Sequence, residues 1–529
     1  MLNRAMADAH DDRTSSLAAL DHAHVWHPFT PMRQWRQRDP LIIERGEGEY
    51  LIDTQGQRYI DGTSSLWCNV HGHRVPQIDQ AIRDQLDRIA HSTMLGVASV
   101  PSIELAARLC AMTGEKGLGI KGLGPREEDQ TAPWASSSSP PLGPRPSSLG
   151  PSNSPRLSRV FYSDAGATAL EVAFKMAVGY WYHSGQKQRT KFIGFEGAYH
   201  GDTTGSMSVG YSEYFHKPFF SMVFPTLFAP VPSTLNPNSQ SPRTPVRASP
   251  AREWPSESAH FNTTERDRCL DQLDKLLTQH ADTIAAVVIE PIVQGAAGMI
   301  CQPPGFLRGI AALAKKHNTL FIADEVAVGF GRTGRMFACE HEEVHPDILC
   351  IAKGITGGYL PLAATLCTDE IEEAFCGEPD ENKTFFHGHT YTGNPLACAA
   401  ALASLDLFES TNLIEHIQAN AKVIASRLDV LRDANDFPHV IDIRQRGIMV
   451  GIELDPARCP APPADLSLGH AVCRLMRPKG LIIRPLGNTL VLMPIPAMSQ
   501  TSLERMLDIV IETLRELPAM SFDDADSVR

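Results

Sequence analysis

The spacing of apolar residues changes rhythm three times along the chain. Near the start, Leu41–Glu44, Tyr50–Asp53 and Arg58–Asp61 are short β-prone runs separated by glycine-containing turns. They predict a small antiparallel sheet behind an N-terminal arm. From Gln77 to His91, Ile78, Ile82, Leu86 and Ile89 recur at helical spacing and predict an amphipathic helix. The centre then alternates short strands with helical faces. Arg159–Ser163 and Lys191–Phe195 read as strands, and Leu170, Ala173, Phe174, Ala177, Val178 and Trp181 mark one face of a helix between them. Ile284–Ile289, Leu320–Ala323 and Ile348–Ala352 are apolar at every position, as parallel strands covered on both faces must be. They follow one another at about the length of a β-α-β unit, roughly 30 residues. Phe306–His317 supplies a helical pattern in the first gap, and the second gap shows no equally clear helix.

The last part changes again. Helices are predicted at Ala397–Glu409, Ile414–Arg432, Ala471–Met476 and Ser502–Leu514, and strands at His439–Arg444, Ile448–Leu454, Leu481–Arg484 and Thr489–Met493. That is an α+β pattern. The expected divisions are an arm with its sheet over 1–75, a large α/β domain over 76–395 and a C-terminal domain over 396–529. Two stretches break the pattern. Between Thr131 and Pro155, fifteen of twenty-five residues are Pro or Ser, and a similar bias runs from Pro232 to Ser256. Such segments bury too little apolar surface to offset chain entropy, so disordered insertions are expected at about 125–157 and 231–257.

Composition narrows the class. With 529 residues, 43% hydrophobic and 21% charged, the chain reads as a soluble multidomain protein. A net charge of −13 argues against a nucleic-acid binder or a protein held to anionic lipid. No apolar run approaches the roughly 20 residues of a membrane helix. The first residues carry charges where an export signal would be apolar, and eleven cysteines include no C-x-x-C pair. A cytoplasmic location with reduced thiols is expected.

Ligands of an open parallel sheet bind beyond the carboxyl ends of its strands. Three predicted strands end there on Glu290, Asp324 and Lys353. A desolvated lysine can lose its proton and attack a carbonyl, while a neighbouring carboxylate pairs with a ring-nitrogen cation. That is what pyridoxal phosphate asks of a protein. Ser163-Asp164-Ala165-Gly166-Ala167-Thr168 lies between a strand and a helix, where free backbone N–H groups suit a phosphate. Tyr199-His200-Gly201-Asp202 follows a strand and offers a flat ring for the cofactor. Two motifs are set aside. His341-Glu342-Glu343-Val344-His345 matches a zinc-protease pattern, but Pro346 works against a shared helical face, and no metal site is expected. Gly329-Phe330-Gly331-Arg332-Thr333-Gly334 matches a dinucleotide fingerprint, but no amphipathic helix opens at its last glycine.

Asp324-Glu325-Val326, the Gly329–Gly334 run, Pro346-Asp347-Ile348 and Lys353-Gly354 together resemble the signature of class III pyridoxal-phosphate aminotransferases. His24-Val25-Trp26-His27-Pro28-Phe29-Thr30 and Thr390-x-x-Gly393-Asn394-Pro395 are similar to the branch that makes 7,8-diaminononanoate from 8-amino-7-oxononanoate in biotin synthesis. The likeness spans nearly the whole chain except the two Pro/Ser segments. It implies an α/β fold of type I, with a large domain around a mostly parallel seven-stranded sheet and a smaller α+β domain built from both ends of the chain. It also implies a homodimer with sites at the subunit interface, and ping-pong chemistry through the pyridoxamine form of the cofactor.

By the same resemblance, Lys353 bonds the cofactor and moves the proton, and Asp324 pairs with the pyridine nitrogen. Gly166 and Ala167 meet the phosphate, with His389 and Thr390 arriving from the other subunit. Glu290 and His200 complete the cofactor site, and Tyr199 stacks on the ring and touches substrate. Phe29, Leu66, Trp67 and Gly388 line the substrate site, and Arg484 binds the substrate carboxylate, as a bidentate fork suits. Members using S-adenosylmethionine commonly carry Tyr, Trp-Trp and Ser where this chain has Phe29, Leu66-Trp67 and Ala167. A branch using L-lysine is similar to this chain at all three places. S-adenosylmethionine is the expected donor and L-lysine the alternative. Further alternatives are another ω-aminotransferase, or a non-catalytic scaffold docking through the Pro/Ser segments.

Overall fold

The computed structural model describes residues 2–113, 157–232, 263–520 and 522, with residues 2–11 as backbone only. The Pro/Ser-rich segments expected near 125–157 and 231–257 lie outside the described residues except at their edges. Among the described residues seventeen strands follow in chain order. β1 (Ile43–Glu47), β2 (Tyr50–Asp53) and β3 (Arg58–Asp61) come first. β4 (Leu157–Ser163), β5 (Lys191–Phe195), β6 (Leu227–Ala229), β7 (Ile284–Ile289), the short pair β8 (Val293–Gln294) and β9 (Ile300–Cys301), β10 (Leu320–Asp324), β11 (Ile348–Ile351) and β12 (Ala363–Thr368) make up the centre. β13 (Val440–Arg446), β14 (Met449–Leu454), β15 (Leu481–Ile482), β16 (Arg484–Leu486) and β17 (Thr489–Leu492) complete the set.

The central sheet has seven strands in the order β4-β12-β11-β10-β7-β5-β6. Only β12 runs against its neighbours, pairing antiparallel with both β11 and β4. The apolar runs explain this arrangement. Along β10, Phe321 and Ala323 enter one hydrophobic cluster, while Leu320 and Ile322 enter a second. In β11, Leu349 and Ile351 take the first side, and Ile348 and Cys350 the other. Period-two alternation therefore feeds two cores, and burying each Ile or Val contributes about 1.5–3 kcal/mol. The helix Gly166–His183 covers one face through Leu170, Ala173, Phe174, Ala177 and Trp181. Helices Thr263–Gln279 and Phe306–Lys316 contribute Leu273, Leu277, Leu307 and Ile310 to the other. Between β10 and β11 only a short 3-10 turn, Ala338–His341, intervenes.

Four predictions from spacing need correction. The helix predicted to His91 ends at Leu86, leaving Leu86 and Ile89 exposed at 56% and 46%. Its apolar stripe packs only through Ile78 and Ile82, against Ala400, Leu407 and Ala403, and the stripe has no partner further on. The first strand is Ile43–Glu47, shifted from Leu41–Glu44. Leu2–His24, read as an arm, is a helix, which follows from its alanine content and not from any apolar stripe. The single strand predicted over Leu481–Arg484 is two: β15 joins β3 in parallel, and β16 pairs with β17. The chain thus crosses at Ile483 from the N-terminal sheet, β1-β2-β3-β15, to the C-terminal one, β13-β14-β17-β16.

Candidate active site

Because β7, β10 and β11 are adjacent and parallel, with Ala323 opposite Ile289 and Asp324 opposite Cys350, their carboxyl ends share one edge. Glu290, Asp324 and Lys353 meet there. Lys353 opens the 3-10 turn Lys353–Thr356 with φ 43°, a left-handed conformation that a non-glycine residue keeps only when its surroundings hold it. Burial lowers the pKa of its ammonium, partly offset by Asp324 and Glu290 and reinforced by Arg332. The amine is thereby biased toward the nucleophilic, proton-accepting form.

Both carboxylates are held by named donors. Asp324 Oδ1 accepts the Val326 N–H at 3.0 Å, and its Oδ2 lies 2.7 Å from His200 Nδ1. Burial works against charge on His200, but the Asp324 bond and the charges of Asp324 and Glu290 together outweigh it and raise its pKa. His200 Nε2 is buried without a hydrogen-bond partner. Glu290 accepts the Tyr199 N–H and the Gly295 N–H, each at 3.0 Å. Burial pushes Glu290 up to about 7, against the nearby charge of His200. Tyr199 is half-buried, and its hydroxyl donates to Asp202 Oδ2 at 2.8 Å.

The cradle lies where β4 passes into the helix Gly166–His183. Ala165 is extended, Thr168 Oγ1 accepts its N–H, and the helix's first N–H groups have no partner within the helix. That positive end suits an anion. Close packing dictates the small residues here. A Cβ on Gly166 would stand 2.5 Å from Val326, and one on Gly201, whose φ is +114°, would stand 2.4 Å from Ala167. His389 lies beside this cradle in its own chain. Its Nδ1 accepts the Tyr391 N–H, and its Nε2, buried without a hydrogen bond, is 3.9 Å from Asp164 Oδ1. Gly388 and Thr390 on either side are exposed.

Trp67 comes to the lysine through a strained turn. Ser64, Ser65 and Trp67 all have positive φ. The turn is fixed by Asp61, which accepts the Ser65 N–H, and by Ser64 Oγ, which donates to the Met493 carbonyl and accepts from Arg332. Lys353 Nζ then sits 5.3 Å from the Trp67 ring centroid. Leu66 stays 53% exposed. Arg484, exposed at the start of β16, acts electrostatically on Tyr199 and so borders the same space. Phe29 stands further out, its ring edge-on to Phe215 at 5.9 Å.

The sequence singles out no role for Asp61, Ser64 and His216, nor for Asp202 and Arg332 beyond their places in the quoted motifs. Arg332 stands out only as a member of the glycine-rich Gly329–Gly334 run. It is 1% exposed and donates to Ser64 Oγ, the Pro494 carbonyl and the Asn69 carbonyl. The zinc-like motif is architectural. His341 bonds Thr333, Glu342 accepts the N–H groups of Gly305 and Arg308, and His345 is exposed. Among the described residues no helix is long and apolar enough to cross a membrane.

The model of the family Aminotransferase class-III matches residues 32–120 and 150–514. An adenosylmethionine-8-amino-7-oxononanoate aminotransferase of Nitratidesulfovibrio vulgaris is 46% identical over 504 residues, covering 94% of this chain and 81% of its own. The crystal structure of the enzyme of that name from Methanocaldococcus jannaschii matches with a TM-score of 0.78 at 39% identity, covering 95% of this chain and 99% of that one. An amine transaminase from an uncultivated Pseudomonas species, in its PLP-bound form, matches with a TM-score of 0.75 at 30% identity, covering 93% and 98% of the two chains. With a parallel sheet presenting Lys353 beside Asp324 and a family match over most of its length, this chain belongs to the class-III aminotransferases.

Proposed function

We propose that the chain is a pyridoxal-phosphate aminotransferase that moves an amino group from S-adenosylmethionine to the ketone of 8-amino-7-oxononanoate, yielding 7,8-diaminononanoate. The observation that carries this is the convergence of Lys353 and Asp324 at the ends of adjacent parallel strands, close enough for the carboxylate to act on the amine, in a chain 46% identical to a relative named for that substrate and donor.

The residues fit the cofactor. The cradle at Gly166 and Gly201 admits no Cβ, His200 Nε2 is an orphaned buried nitrogen, and Lys353 is biased toward the neutral amine. When bound, pyridoxal phosphate supplies a carbonyl to receive the amine and a ring that withdraws electrons from the carbon losing its proton. Lys353 Nζ would hold the group at its carbonyl carbon and, as a neutral amine, would be the base that takes and returns that proton. Asp324 would offer its carboxylate to the ring nitrogen, with His200 Nδ1 fixing its orientation. The N–H groups of Gly166 and Ala167 would hold the phosphate, and Glu290 pins the Tyr199 backbone from behind. Tyr199 and Trp67 form walls that exclude water, and Arg484 pairs with the substrate carboxylate. Phe29 and Leu66 border the mouth.

A homodimer is part of this reading. Leu95, Val97, Val100 and Ile103 are exposed, and so are Phe386 and Tyr391 beside Gly388, His389 and Thr390. The His91 and Tyr391 rings lie 5.0 Å apart, which joins the two segments into one apolar surface that a second copy covers.

The test is product formation. The pyridoxal-phosphate-loaded chain is incubated with 8-amino-7-oxononanoate and either S-adenosylmethionine or L-lysine, and diaminononanoate is measured by mass spectrometry. Product with S-adenosylmethionine supports the proposal. Product with L-lysine alone makes L-lysine the donor, and product with neither rejects the substrate.

A further inference from the structure

His216 has no part in the chemistry above, yet it lies directly behind it. It closes the short helix Glu213–His216 and is 2% exposed. Its Nδ1 accepts the Ser212 N–H at 3.0 Å. Burial favours the neutral imidazole, and a neutral ring accepting at Nδ1 carries its hydrogen on Nε2. That Nε2 is buried without a hydrogen-bond partner and lies 3.9 Å from Asp202 Oδ1. The other oxygen of the same carboxylate accepts the Tyr199 hydroxyl. Asp202 therefore stands between a buried N–H and the phenol that faces cofactor and substrate. The preceding residue, Phe215, meets Phe29 edge-on, so the same short helix also reaches the mouth of the site.

We propose that His216 is a positioning residue, whose Nε2–H orients the Asp202 carboxylate so that Asp202 fixes the Tyr199 hydroxyl and ring. The inference rests on the assignment of Tyr199 to the cofactor and substrate wall. Asp202 is half-exposed, and a filled site that strips its water leaves the carboxylate to close the gap to Nε2. The same helix then sets the separation of Tyr199 from Phe29.

Two variants separate this role from simple capping of Ser212. His216→Asn places an amide oxygen near the Nδ1 position, where it can accept the Ser212 N–H, but reaches nothing at Asp202. His216→Gln places an amide N–H near the Nε2 position and gives up the Ser212 bond. The expected result is that H216N keeps its melting temperature but loses about tenfold in kcat/KM, the size of one lost charge-assisted hydrogen bond, mostly through KM. Its dissociation constant for pyridoxal phosphate, from equilibrium dialysis, rises several-fold. H216Q retains both constants within about threefold even where its melting temperature falls. The reverse ranking, or two variants alike in both constants, overturns the proposal. Should the wild-type chain bind pyridoxal phosphate yet leave 8-amino-7-oxononanoate unchanged, the substrate assignment fails by itself. The dialysis constants of the two variants then decide the role of His216.

Discussion

Asp324 and Glu325 are consecutive carboxylates with different fates. Asp324 ends its strand facing the site, whereas Glu325 turns inward, fully buried, and accepts the Ala338 and Cys339 N–H groups at 2.6 and 2.8 Å. Burial pushes Glu325 up to about 7 despite those bonds. Its folded pKa thus lies above the unfolded value near 4.3, so the folded state holds the proton more tightly. Its stabilising contribution is complete below about pH 4.3 and is lost as pH rises through 7, in total on the order of 3 kcal/mol. In Glu325→Gln the ionisable group is gone. The melting temperature of this variant relative to the parent should therefore climb between pH 5 and 8, as read by calorimetry at matched ionic strength. A difference constant with pH contradicts the buried, proton-holding Glu325. His341 has the opposite slope. Burial drives it to about 3, so the unfolded chain takes up its proton first and stability falls as pH drops below about 6.5.

Among the elements, the turn Ser64–Trp67 is where the site is most dependent on distant support. Its left-handed residues are each unfavourable by about 1–3 kcal/mol, and Arg332 holds them by tying Ser64 to the Asn69 and Pro494 carbonyls. Arg332→Met keeps bulk but leaves one hydroxyl and two carbonyls short of a donor. A loss of about 3 kcal/mol or more is expected in urea unfolding. Quenching of Trp67 fluorescence by bound pyridoxal phosphate should weaken with it. Unchanged quenching would mean that Asp61 and Met493 alone suffice to place the ring over Lys353.

Considered as a whole molecule, the large sheet was legible because its strands carry their signal locally. Ile284–Ile289, Leu320–Asp324 and Ile348–Ile351 are apolar on both faces, and their charged ends lie in consecutive parallel strands. Residues placed by long-range contacts were not legible. Nothing local distinguishes Arg332 from a turn arginine, since its partners are 162 to 268 positions away. Nor does spacing tell that Leu481–Arg484 divides between two sheets, because the break at Ile483 follows from which strands lie alongside. The exposed residues near Leu95 and Tyr391 belong to this scale too. Sedimentation of the loaded chain should give twice 57.9 kDa, and replacing Leu95 and Tyr391 with glutamate should drive it toward single chains. A loaded, active single chain would remove the dimer from the account.

The central claim is that Lys353 is the residue bonding the cofactor, and covalent trapping tests it most directly. The chain is saturated with pyridoxal phosphate, reduced with borohydride, digested and mapped by mass spectrometry. One pyridoxyl group is expected, on the peptide containing Lys353, and none after the same treatment of Lys353→Ala. Label on another lysine, or an unlabelled Lys353 peptide from saturated protein, would contradict it.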